Sequence, residues 1–113
     1  MSKNTFTMVA EVRHFEDKAT EEKKDYQTYV IYVDEVDVIM SPKQVVGRKL
    51  LESEVRQFGN KLTCIAVEKE YTDKATRETR KYWSYYVQLA RGINVPVAPK
   101  ERLGGELLET LLS

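Results

Sequence analysis

The run Asp73-Lys74-Ala75-Thr76-Arg77-Glu78-Thr79-Arg80-Lys81-Tyr82-Trp83-Ser84-Tyr85-Tyr86 decides how this chain is read. The same pattern stands 56 residues earlier, as Asp17-Lys18-Ala19-Thr20-Glu21-Glu22-Lys23-Lys24-Asp25-Tyr26-Gln27-Thr28-Tyr29-Val30. The match spreads outward from both copies. Asn4, Thr7 and Ala10 recur as Asn60, Thr63 and Ala66, and Leu50-Leu51-Glu52-Ser53 recurs as Leu107-Leu108-Glu109-Thr110. A period above ~50 residues with two copies is not a solenoid, which needs at least about three stacked repeats. It predicts a duplicated unit folded about a pseudo-two-fold axis, the one-chain counterpart of a symmetric dimer.

Within each copy the pattern alternates between strand and helix signals. Phe6, Met8, Ala10 and Val12 alternate with Thr7, Val9, Glu11 and Arg13, so residues 5–15 read as a strand. A charged loop follows, then Tyr26 to Val33, dense in β-branched and aromatic residues. Asp34-Glu35 marks a tight turn before a short third strand, Val36 to Met40. Ser41-Pro42 reads as a helix start, with a capping hydroxyl and a proline at the first helical position. Val46, Leu50, Leu51, Val55 and Phe58 then predict one apolar helical face, with Gly47 a weak point in it and Gly59 the stop.

The second copy reads the same way. Strands are expected at 62–71, 82–89 and 93–97, with a charged loop at 72–81 between the first two. Leu103, Leu107, Leu108, Leu111 and Leu112 form a closing apolar stripe, and Gly104-Gly105 delays that helix to about Glu106. The predicted fold class is therefore α+β. It consists of tandem duplicated βββα units, 4–58 and 60–113, within a single domain covering residues 1–113.

Side chains alternate across a strand. One face of the central strands carries Gln27, Tyr29, Ile31, Val33, Trp83, Tyr85, Val87 and Leu89 and is expected under the helices. The other carries Tyr26, Thr28, Val30, Tyr32, Tyr82, Ser84, Tyr86 and Gln88. With both helices on one side, this hydroxyl-rich aromatic face stays open. Single-strand nucleic-acid modules use such faces, with bases stacking on rings at about 1–3 kcal/mol each. The plainer alternative packs the tyrosines inside a two-layer core or against the sister half.

Composition bounds the function. Lys plus Arg and Asp plus Glu balance at 18 each, which argues against a polybasic nucleic-acid or membrane binder. No apolar run approaches the ~18 residues of a membrane span. One cysteine, Cys64, forms no internal disulfide, and with no signal-peptide pattern at the N-terminus this suggests a cytoplasmic protein. His14 is the only histidine and has Glu70 as its counterpart, so it is read as a surface residue. Cys64 stands where the first copy has Met8, which reads as core. No phosphate-cradling glycine loop, paired-cysteine site or histidine–acid motif occurs. Asp34, Glu35 and Asp37 form an acidic tip without the spacing of a known cation loop.

The expectation is thus a non-catalytic binding module without cofactor or metal. Its most concrete form binds single-stranded nucleic acid weakly. Tyr26, Tyr32, Tyr82 and Tyr86 form the stacking platform, and Lys74, Arg77, Arg80 and Lys81 meet the backbone. A small accessory factor of a phage or other mobile element would suit this size and plainness. The rival is a protein-interaction or self-assembling homo-oligomeric scaffold that docks by strand addition or burial. Zero net charge favours the rival.

Overall fold

The computed structural model describes residues 4–16 and 23–112, with the side chains of 14–16 and 23–25 left aside. The charged first loop, 17–22, and the side chain of His14 lie outside the described residues. Along the chain come β1 (Thr5–Glu16), β2 (Lys23–Val33), β3 (Val36–Pro42), α1 (Val45–Phe58), β4 (Lys61–Thr72), β5 (Thr79–Gln88), β6 (Asn94–Pro99) and α2 (Arg102–Leu112).

These elements do not form two βββα units about a pseudo-two-fold axis. The six strands close into one antiparallel barrel in the order β1-β2-β3-β6-β5-β4. Two seams join the strand sets. Along one, β1 pairs with β4 from Thr5↔Ile65 to Val9↔Lys61. Along the other, β3 pairs with β6 from Met40↔Pro99 to Pro42↔Val97. Backbone bonds lengthen the first seam: Ala10 N–H donates to Asn60 O and Ala66 N–H to Asn4 O, both at 2.8 Å. Closure satisfies backbone groups that two open meanders would leave at sheet edges.

The helices tie the strand sets together crosswise. Both rest on β3 and β6, the two shortest strands. A Cβ on Gly47 of α1 would lie 2.8 Å from Val95 Cγ1 of β6, and one on Gly104 of α2 would lie 2.9 Å from Val38 Cγ1 of β3. The buried helical positions are Gly47 and Leu51 in α1 and Leu108 in α2. Val46 and Phe58, expected in the buried stripe, are 66% and 63% exposed, and Leu103 is 71% exposed. The helices meet the sheet through their glycines, which rotates the buried stripe away from those side chains. For the same reason α2 starts at Arg102 and runs through Gly104-Gly105.

The core fills the barrel interior. Met8, Ala10, Tyr29, Ile31, Val38, Met40, Leu62, Cys64, Ala66, Tyr85, Val87, Val95 and Val97 join Leu51 and Leu108 in one buried cluster. Every strand contributes alternate residues to it, as the pleat requires.

Two hairpins outrun the barrel. β4 pairs with β5 from Thr63↔Gln88 to Thr72↔Thr79, but β1 covers β4 only as far as Ile65, and β6 covers β5 only from Tyr85. Residues 67–84 therefore project as a two-stranded arm. The β1–β2 hairpin projects likewise beyond Val9 and Tyr29, from the opposite end of the barrel. The Cα radius of gyration is 16.0 Å over extents of 51 × 36 × 30 Å. A compact chain of this length would have about 13 Å. The arms account for the excess.

Candidate nucleic-acid interface

The β4–β5 arm is longer than its charged sequence suggests. Thr79, Arg80 and Lys81, expected in a loop, belong to β5. Cross-strand pairs hold them there. Lys81 Nζ lies 3.6 Å from Glu68 Oε1 and 3.9 Å from Glu70 Oε1. Tyr71 sits opposite Arg80, and its ring meets that of Tyr82 edge-on at 5.8 Å between centroids. At the tip, Asp73 Oδ1 accepts the Ala75 N–H at 2.9 Å, and Asp73 O accepts the Arg77 N–H at 2.7 Å. Arg77 takes the left-handed conformation, φ 58°, that this tight reversal needs.

The arm sorts its charges by face. One face carries Val67, Lys69 and Tyr71 on β4 and Arg80 and Tyr82 on β5, with the buried Ser84 and the half-buried Tyr86 continuing it at the arm's base. The only charged side chains among them are cations. Glu68, Glu70 and Lys81 occupy the reverse face with the half-buried Trp83. Lys69 Nζ hydrogen-bonds the Tyr86 hydroxyl and lies 5.0 Å from that ring's centroid. The hydrogen bond raises the Lys69 pKa, holding the amine charged, and lowers that of Tyr86. Arg80 has one weak partner, Glu78 at 4.0 Å, with both side chains more than half exposed.

The structure brings together only part of the expected platform. Tyr82, Tyr86 and Arg80 share the outer face of the arm, with Lys74 and Arg77 at its tip. Lys81 faces the other way. Tyr26 and Tyr32 stand on β2, three strands from β5 in a ring of six, so they occupy the opposite wall of the barrel. No single surface joins the four rings. A flat open sheet would have joined them; the closed one parts them.

Around Tyr32 that opposite wall carries carboxylates. The Tyr32 hydroxyl donates to Glu11 Oε1, which raises its pKa, with burial adding to the effect. Arg13 bridges Asp37 at 3.1 Å and Glu11 at 3.5 Å. Its hydrogen bond to Asp37 raises the guanidinium pKa. Asp37 of the acidic tip is thus an ion-pair partner of Arg13. Asp34 takes a left-handed φ of 53° in the turn from β2 to β3.

Sequence reasoning passed over Lys69 and Tyr71. The signal was present: odd-numbered residues of β4 pair with even-numbered residues of β5, so Lys69 and Tyr71 share a face with Tyr82. Cys64 is fully buried beside Phe6 and Val87, and burial pushes its thiol up to about 12. Among the described residues no group of three or more His, Cys, Asp or Glu is placed to hold a metal ion, and no helix is long and apolar enough to cross a membrane.

The fold defines a small closed β-barrel with two projecting hairpins. No known family model matches the chain, and neither a curated protein nor a solved structure does.

Proposed function

We propose that this protein is a non-catalytic module that holds single-stranded nucleic acid against the outer face of its β4–β5 arm. The observation that carries this reading is the segregation of charge. Lys69 and Arg80 lie among Tyr71, Tyr82 and Tyr86, with every strand carboxylate of the arm on the reverse face. Stacked bases need rings and the backbone needs nearby cations; this face supplies both. Tyr82 is 42% and Tyr71 47% exposed, so ring surface is available. Balanced overall charge predicts weak, salt-sensitive binding.

The test is fluorescence anisotropy of a labelled oligonucleotide titrated with the protein at low and high salt. Saturable binding at low salt, weakened by Tyr82→Ala and unchanged by Lys81→Ala, supports the assignment. No binding at low salt refutes it.

A protein partner is the second reading. Val45, Val46 and Phe58 on α1 and Leu103 and Leu111 on α2 are all more than half exposed, an unusual load of apolar surface for helices so short. Barrel closure restricts strand addition to the arms, where unpaired edges remain.

A further inference from the structure

A second feature lies away from the arm. β2 and β3 separate beyond the pair Tyr29↔Met40, and a cleft of about 440 Å³ opens between them beneath α1. Small-molecule sites commonly have about 300–1,000 Å³. Thr28 and Tyr29 both line this cleft, and among the described residues the hydroxyl of each is buried without a hydrogen-bond partner. Their residues are 5% and 4% exposed. Buried polar groups are almost always satisfied, and an orphan costs about 1–3 kcal/mol. Successive side chains of β2 point to opposite faces, so the Tyr29 hydroxyl, within electrostatic reach of Glu52 and Arg48, is the one beside the cleft, and it calls for a polar occupant.

The charges say which kind. Arg48 of α1 and Lys100, just past β6, both line the cleft, and neither has an ion-pair partner among the described residues. They make an anion-binding end. Glu52, one helical turn from Arg48, is the single carboxylate of the lining, and it accepts N–H donors rather than anions. Tyr26 and Ile39 supply aromatic and apolar wall beside these groups. An anionic group on the two cations, a planar body on the Tyr26 ring and an N–H donor to Glu52 describe a nucleotide.

We propose that the cleft between β2 and β3 is a binding site for a nucleoside monophosphate, with its phosphate on Arg48 and Lys100 and its base toward Tyr26 and Glu52. The site is separate from the arm and does not depend on the oligonucleotide reading. Cleft and arm stand on opposite walls of the barrel.

Isothermal titration calorimetry with adenosine and cytidine 5′-monophosphates tests it, with adenosine and inorganic phosphate as controls. Saturable binding of either nucleotide is expected, at least tenfold tighter than adenosine or phosphate alone. Arg48→Ala and Lys100→Ala should each weaken it several-fold or more, while Tyr82→Ala on the arm leaves it unchanged. Arg48 and Lys100 are exposed, so neither variant threatens the fold. Absence of heat with both nucleotides at millimolar concentration would overturn the proposal. So would phosphate binding as tightly as the nucleotides, or parental affinity in both cation variants. A failed oligonucleotide titration beside a successful nucleotide titration would remove the arm assignment and leave this one standing.

Discussion

Gly47 of α1 stands so close to Val95 of β6 that a Cβ on the glycine would come within 2.8 Å of Val95 Cγ1. Valine is short and stiff about χ1, so it has no cheap way to withdraw. The contact joins a helix that follows the third strand to the sixth strand. Gly104 of α2 repeats it against Val38 of β3, at 2.9 Å. Neighbouring Gly105 differs, since a Cβ there would meet Pro99 at an ordinary 3.6 Å.

Adjacent glycines should therefore respond to alanine with opposite sign. Gly47→Ala and Gly104→Ala force overpacking, at about 1–3 kcal/mol, against a helix-propensity gain of about 0.5–1 kcal/mol. Both should be net destabilising. Gly105→Ala keeps the gain without the clash and should stabilise by up to about 1 kcal/mol. Urea unfolding midpoints at matched slope measure this. Equal effects at 104 and 105 would mean that α2 does not sit on β3 as described.

Cys64 should be silent toward thiol reagents in the folded protein. It is fully buried, and its thiol is pushed up to about 12 by loss of water. The thiolate is the reactive form, so both access and ionisation oppose attack. Labelling at pH 8 should proceed only at the rate of unfolding and accelerate with urea. A fast labelling phase without denaturant would show an opening barrel.

The local pattern of this chain was legible and its closure was not. Alternation placed Tyr29, Ile31, Tyr85 and Val87 on the buried face, because a pleat leaves a period of two in the sequence. Pairings such as Thr7↔Thr63 leave no such mark, since nothing near Thr7 says which distant strand will meet it. That pairing turns an expected open sheet into a barrel, and it places Tyr26 and Tyr32 across from Tyr82 and Tyr86. The helix faces misled for a related reason. Hydrophobic spacing weighs side chains, and Gly47 and Gly104 make their contacts by lacking one. On the arm, the face shared by Lys69 and Tyr82 was readable once the hairpin register was known.

Stability should decline in alkali before the protein's surface lysines matter. Burial pushes Tyr29 and Tyr85, ordinarily 10.0, up to about 12, and Cys64 from 9.0 up to about 12. Each folded-state pKa lies above its unfolded value, so the fold favours the neutral form. The contribution is intact below the unfolded values. It is lost as the pH climbs from about 9 toward 12, because the unfolded chain releases these protons first. Tyr85→Phe should flatten part of that decline. It also deletes a buried hydroxyl that has no partner, so at neutral pH it should be near neutral or stabilising by up to about 1 kcal/mol. Urea midpoints at pH 7.5 and pH 10.5 check both halves. A steeper alkaline loss in Tyr85→Phe would contradict the burial account.

Binding through the arm carries a quantitative signature in salt. Lys69 and Arg80 on the outer face, with Arg77 at the tip, can meet about three phosphates, and single strands release counterions with a slope near −0.7 per contact. The logarithm of oligonucleotide affinity should fall with the logarithm of salt at a slope of about −2. Arg80→Ala should reduce that slope by about 0.7 and weaken binding at every sequence alike, since a backbone contact carries no base information. Tyr82→Ala should lower affinity by roughly five- to a hundredfold while leaving the slope unchanged, because stacking releases no ions. Lys81→Ala, on the face with Glu68 and Glu70, should change neither quantity. If Lys81→Ala instead matched Arg80→Ala, the reverse face of the arm would be the one in contact, and the segregation of charge would have been read from the wrong side.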